Sequence, residues 1–180
     1  MPLASVSTMA HRMRRTILAG AATALALALT TACTPDPAPS PTPTGFASEE
    51  DAFAAAEATY RAYVDAGNEA RKDPTHQPTP DSFLTGKALT DSLEGQRLIE
   101  ESGVHLVGGS TVQSVRLNSW EPEAAVITVC LDLTPVRVFN EDGVDVTPSS
   151  RGDVGILEVT VISAQPKPLI IQSQTGQGPC

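Results

Sequence analysis

The hydrophobic period of this chain changes once, at Gly103, and that change constrains the fold more than any motif does. Before it, from Ser48, the residues Phe53, Ala56, Tyr60, Tyr63 or Val64, and Gly67 recur at three- and four-residue steps. Such spacing places them on one helical face, and Ser48-Glu49-Glu50-Asp51 supplies a cap and an acidic first turn. The helix is predicted to end near Ala70. Pro74, Pro78 and Pro80 interrupt regular structure up to Asp81. A second helix is predicted from about Ser82 to Ser102, with Leu89, Leu93 and Leu98 as its apolar positions, Gly86 and Gly95 weakening it internally and Gly103 stopping it.

Beyond Gly103 the pattern alternates, which is the period of a strand with one buried face. Gln113-Val115-Leu117 reads as one face of a strand ending at Trp120. Glu121-Pro122-Glu123 turns the chain into Ala125-Ile127-Val129-Leu131-Leu133. Val136 and Val138 lead to Asp142-Gly143, a hairpin signal, and Val144 and Val146 begin a return. Leu157-Val159-Val161 and Leu169-Ile170-Ile171 complete about five or six strands, and two helices followed by such a run predict an α+β domain in which the helices cover one face of a curved antiparallel sheet.

The N-terminal quarter follows other rules. His11-Arg12-Met13-Arg14-Arg15 precedes the apolar run Ile17 to Leu29, the arrangement of an export signal too short to span a bilayer. Thr30-Thr31-Ala32 leads directly into Cys33, which resembles the lipobox of bacterial lipoproteins, with Thr30 where leucine is usual. The resemblance implies cleavage after Ala32 and a lipid on Cys33, whose thiol is the soft nucleophile that thioether attachment requires. Arg14-Arg15 leaves the export route open between the general and the twin-arginine pathways. Prolines at 35, 37, 39, 41 and 43 then favour an extended polyproline tether, and Thr34 to Gly45 would reach about 37 Å. The division expected is a signal over 1–32, a lipidated cysteine and tether over 33–45, and one domain over 46–180.

If Cys33 carries lipid, Cys130 and Cys180 remain as a pair in an oxidising compartment, and a disulfide between them is the natural expectation. Two free thiols or a metal site are the alternatives, and neither cysteine has a histidine or second cysteine at ligand spacing. Removing residues 1–32 takes the balance from 12 basic and 21 acidic residues to 9 and 21, a net charge of -12. So acidic a domain lacks the basic footprint of a nucleic-acid binder, and its contact with a membrane would come through Cys33 alone.

From Gly45 to Cys180 the order of elements resembles the cystatin-like, nuclear-transport-factor-2-like (NTF2-like) superfamily, and more narrowly the small lipoproteins of high-GC Gram-positive bacteria. The resemblance rests on the Tyr60-Arg61-Ala62-Tyr63 helix, the Cys130-Leu131-Asp132 strand, the Asp142-Gly143 hairpin and the terminal Cys180. Pro168-Leu169-Ile170-Ile171 stands where a tryptophan would be expected. Members of the superfamily include isomerases and dehydratases that use an Asp, His or Tyr in a cone-shaped pocket, so the fold alone leaves an enzyme open.

Tyr60 and Tyr63 are the residues placed to line such a pocket, and aromatic residues at helical spacing equally serve a core. Asp132 alternates with Cys130 and is expected to face away from the helices. His11 goes with the signal, His76 lies in a proline-rich loop and His105 opens a strand, with no pair at metal or general-base spacing. Gly86-Lys87-Ala88 lacks the upstream glycine and the hydroxyl of a phosphate loop. Asn140, Glu141, Asp142 and Asp145 miss the ligand positions of a calcium loop, and Arg151-Gly152-Asp153 is a tripeptide that arises easily by chance. No cofactor or metal is expected and no residue is assigned as catalytic. The chain therefore reads as a lipid-anchored binding or interaction module on the extracytoplasmic side of the cell membrane. A homodimer or envelope protein would contact the sheet face bearing Val126, Thr128, Ile156, Thr160 and Ile162. The alternative is an NTF2-like enzyme acting on a small apolar metabolite through Tyr60 or Tyr63.

Overall fold

A computed structural model of the chain describes residues 45–180; the segments expected to be signal and tether, and Cys33, lie outside them. Helix α1 (Glu49–Lys72) begins where Ser48 accepts a hydrogen bond from the Asp51 amide at 3.1 Å, while the Asp51 carboxylate accepts one from the Ala47 amide at 2.9 Å. This reciprocal capping satisfies two amides at a helix start. A 3-10 turn (Pro80–Phe83) precedes helix α2 (Gly86–Glu101). Gly86 is thus the first residue of α2, and the stretch from Ser82 is not continuous helix as its periodicity suggests. Gly86-Lys87-Ala88 is simply the first turn: Lys87 pairs with Asp91 at 2.6 Å and Ala88 is buried.

Six strands follow: β1 (Val104–Val107), β2 (Thr111–Glu121), β3 (Ala124–Asp132), β4 (Arg137–Asn140), β5 (Val154–Ile162) and β6 (Leu169–Thr175). They form two sheets rather than one. β2-β3-β5-β6 make an antiparallel sheet of four, and β1 pairs with β4 in a separate sheet of two. The split arises at Leu133. Its amide donates to the Asp153 carbonyl at 2.7 Å, extending the β3 to β5 pairing, while the Val136 amide closes a turn onto the Leu133 carbonyl at 2.9 Å. The chain thereby leaves the large sheet before β4 forms. The hairpin at Asp142-Gly143 is present, with Gly143 at φ 74 and its amide bonded to the Asn140 carbonyl at 3.0 Å. Its return arm makes a single bridge, Phe139 to Asp145, and leaves Val144 and Val146 exposed.

Two register shifts in β2 correct the face expected from alternation. Irregularities between Val112 and Ser114 and between Leu117 and Ser119 each insert a residue, so Gln113 is exposed while Val112, Val115, Leu117 and Trp120 pack inward. The core lies between α1 and the inner face of the large sheet. Ala52, Ala56, Tyr60 and Val64 meet Ala125, Ile127, Val129 and Leu131, with Val159, Val161 and Ile170 beside them. Alanines on α1 let the helix approach closely enough to bury these β-branched side chains.

The base of α1 is fastened to the β1–β2 corner by Asn68, whose amide group donates to the Ser110 carbonyl at 2.8 Å and accepts from the Ser110 amide at 2.9 Å. Gly108 makes that corner possible. Its φ is 86°, and a Cβ there would stand 2.0 Å from the Pro135 carbonyl oxygen, so only glycine permits the two turns to touch. At the C-terminus of the chain the expected disulfide joins Cys130 to Cys180, with Cα atoms 5.7 Å apart. Among the described residues no helix is long and apolar enough to cross a membrane.

Candidate functional site

A cavity of about 670 Å³ opens between the C-terminal half of α1, the loop and 3-10 turn that follow it, α2, and the inner face of the large sheet. It lies within the size range of small-molecule sites. A smaller chamber of about 200 Å³ shares Tyr60, Tyr63, Asp91, Ser92 and Ser173 with it and is lined by Leu84, Ala88 and Ile170. The apolar part of the main cleft comes from Val64, Leu131, Leu133 and Leu157, and the polar part from Arg71, Asp81, Ser92 and Gln96.

Both tyrosines line these spaces. They sit three residues apart on α1, so they share a face, with ring centroids 5.7 Å apart and planes tilted by 57°. Tyr60 is only 2% exposed and lines the cavity; among the described residues the fully buried side-chain polar atom without a hydrogen-bond partner is Nε of Arg151, not the Tyr60 hydroxyl. Burial raises the pKa of Tyr60, and the neighbouring Tyr63 adds to the effect. Burial also raises that of Tyr63, reinforced by the negative charge of Asp81 and opposed by Arg71. Both phenols therefore stay protonated at neutral pH and act as hydrogen-bond donors.

Asp81 is the functional residue that sequence reasoning misses, because Pro78-Thr79-Pro80 reads only as a break. Its carboxylate accepts from the Ser92 hydroxyl at 2.9 Å and from the Gln96 amide at 3.1 Å on each oxygen, tying the 3-10 turn to α2. Gly67 and Gly95 also line the cleft, and a Cβ at either position would meet nothing within 4 Å. Their signal was available: glycine inside a helix costs about 1 kcal/mol against alanine and asks for a local reason. The reason here is open space between two helices.

The other residues weighed for chemistry fall elsewhere. Asp132 is on the outer face, accepts the Thr134 amide at 2.8 Å, and is held below the usual carboxylate range by its hydrogen bonds to Thr134. It caps a turn. His105 is exposed and stacked on Phe139 at 5.9 Å, and His76 sits in the loop after α1. Asn140 and Asp145 spend their side chains on the Val144 and Thr147 amides. Arg151-Gly152-Asp153 forms the turn into β5, its backbone bonded to Pro148 and Leu133. Among the described residues no group of three or more His, Cys, Asp or Glu side chains is placed to hold a metal ion.

On the outer face of the sheet, Thr128 is buried and Val126, Ile156, Thr160 and Ile162 are half-buried. The C-terminal residues after β6 fold back over part of this face. The Gly176 amide bonds to the Ile156 carbonyl at 2.8 Å, Arg116 donates to the Pro179 carbonyl at 3.0 Å, and the disulfide fixes the end. Alongside this strap, on the same face of the sheet, runs a groove of about 540 Å³. No protein-family profile matches the chain, and no curated protein matches it.

Proposed function

We propose that this chain is a lipid-anchored extracytoplasmic binding module, held to the cell membrane through Cys33, with a domain of cystatin- and NTF2-like form whose cleft takes a small, largely apolar ligand. The observation that carries the ligand is the cleft of about 670 Å³, where Tyr60 and Tyr63 meet an apolar lining of Val64, Leu131, Leu133 and Leu157. A ligand with an apolar body and one hydrogen-bond acceptor would match tyrosine hydroxyls set in such a lining. The helices lying over an antiparallel sheet support the superfamily form, and the lipobox-like Thr30-Thr31-Ala32-Cys33 supports the anchor.

A neutral apolar fluorophore, phenylnaphthylamine, tests the cleft. Its emission should rise on mixing with the protein and lose most of that rise in Gly95→Leu, where the new side chain fills the space between the helices. Leucine is a strong helix former, so the variant should fold at least as well as the parent. No emission change with the parent, or an equal change with the variant, would remove the cleft from consideration. The anchor has its own test. Cys33→Ala should release the protein from membranes or leave its precursor uncut, and a variant processed and retained like the parent would refute lipid attachment.

A second reading, an isomerase or dehydratase acting on a small apolar metabolite, draws on the proximity of Asp81 to Tyr63. Binding is preferred because both oxygens of Asp81 are already engaged and neither histidine of the domain lines the cleft.

A further inference from the structure

The groove beside the C-terminal strap is chemically unlike the cleft and lies on the opposite face of the sheet. One cross-strand row forms its floor: Arg116 on β2 pairs with Thr128 on β3, Thr128 with Glu158 on β5, and Glu158 with Gln174 on β6. Alternation puts all four side chains on the outer face. Arg116 and Glu158 carry opposite charges, yet neither has an ion-pair partner among the described residues. Two strand spacings, about 10 Å, separate their backbones, and buried Thr128 stands between them.

The polar groups around this row are already oriented. Thr128 donates to the Asn118 side-chain oxygen at 3.0 Å, which leaves the Asn118 amide hydrogens facing outward contacts. Asn118 itself sits in the register shift between Leu117 and Ser119, the kind of bulge that re-aims a side chain. Gln172 donates to Gln174 at 2.8 Å, and Gln174 donates to one Glu158 oxygen at 3.0 Å, leaving the second oxygen free. Arg116 spends one nitrogen on Pro179 and keeps its other donors.

We propose that this groove binds a short peptide of two or three residues with free termini, its carboxylate on Arg116, its ammonium on Glu158 and its main-chain amides on Asn118 and Gln177. An extended chain advances about 3.3–3.6 Å per residue, so two or three residues match the spacing of the two charges. The groove lining contains no aromatic platform for a sugar ring, and Glu158 would repel a phosphate. The strap, pinned by Cys180, walls one side of the site through Gly176 and Gln177.

Triglycine, which carries termini and amides alone, is the probe. Added to the isotope-labelled, disulfide-bonded protein, it should shift backbone amide signals of β2, β3, β5 and the strap. N-acetyl-triglycine amide, with the same backbone and no charges, should leave them unmoved. Arg116→Gln and Glu158→Gln should each weaken triglycine binding by about tenfold or more. Absence of shifts with triglycine, equal shifts with the capped peptide, or shifts confined to the Tyr60 cleft would each overturn the proposal. The comparison of the two peptides on the parent protein stands whether or not either variant folds.

Discussion

Cys180→Ser should lower the stability of the oxidised protein by about 4 kcal/mol, read by chemical denaturation with the slope fitted for each protein, since the uncrosslinked denatured chain is less compact. The figure follows from the loop the disulfide closes, whose ends are 50 residues apart in sequence. Cross-linking so long a loop removes entropy from the denatured chain, and domains of this kind have only about 5–15 kcal/mol in total. The loss corresponds to on the order of 10–20 °C in the thermal midpoint. Reductant should bring the parent down to the variant's value and leave the variant unmoved. A difference below about 1 kcal/mol would mean that the denatured chain keeps this segment together without the bond.

Tyr60→Ala should cost about 3–5 kcal/mol by chemical denaturation, because it removes the largest fully buried side chain of the core and leaves a void where α1 meets the sheet. Tyr60→Phe should stay within about 0.5 kcal/mol of the parent, since the hydroxyl has no protein partner among the described residues to lose. A large loss in Tyr60→Phe would show that the hydroxyl is paired within the protein. The pair also predicts a pH dependence. The folded-state pKa of Tyr60 is raised above its ordinary value of 10.0, so the native state holds its proton where the denatured state releases it. Stability is therefore unaffected by this group below pH 10.0 and falls as pH rises beyond it, by at most about 1.4 kcal/mol per pH unit. Tyr60→Phe should make that fall shallower without abolishing it, because Tyr63 is shifted the same way.

The parts of the fold legible in the sequence are those where one local signal acts alone. Ser48 and Asp51 mark the start of α1, Asp142-Gly143 marks a hairpin, and the parity of Ile127, Val129 and Leu131 identifies the buried face of β3. Parity fails at Gln113 and Asn118, because an inserted residue leaves no mark in the order of apolar side chains. The division into two sheets was hidden for a similar reason: whether β4 continues β3 or pairs with β1 depends on the long-range bond from Leu133 to Asp153. At the candidate site, helical spacing alone brings Tyr60 and Tyr63 together. Asp81 joins them through a non-helical turn, and no periodicity describes that approach. The strap was foreshadowed only by its last residue. Pairing Cys180 with Cys130 implied that the chain end returns to a central strand, but not that a polar groove would lie beside it.

The beginning of the described chain has a mechanical consequence. The Phe46 ring is buried and its amide bonds to the Pro122 carbonyl at 2.7 Å, while Gly45 packs so closely that a Cβ would lie 2.6 Å from that same oxygen. Tension arriving from the N-terminal side thus meets the β2–β3 turn before it meets α1. The load is shared with a hairpin whose register continues into the centre of the sheet, and the first turn of the helix is shielded from being peeled open.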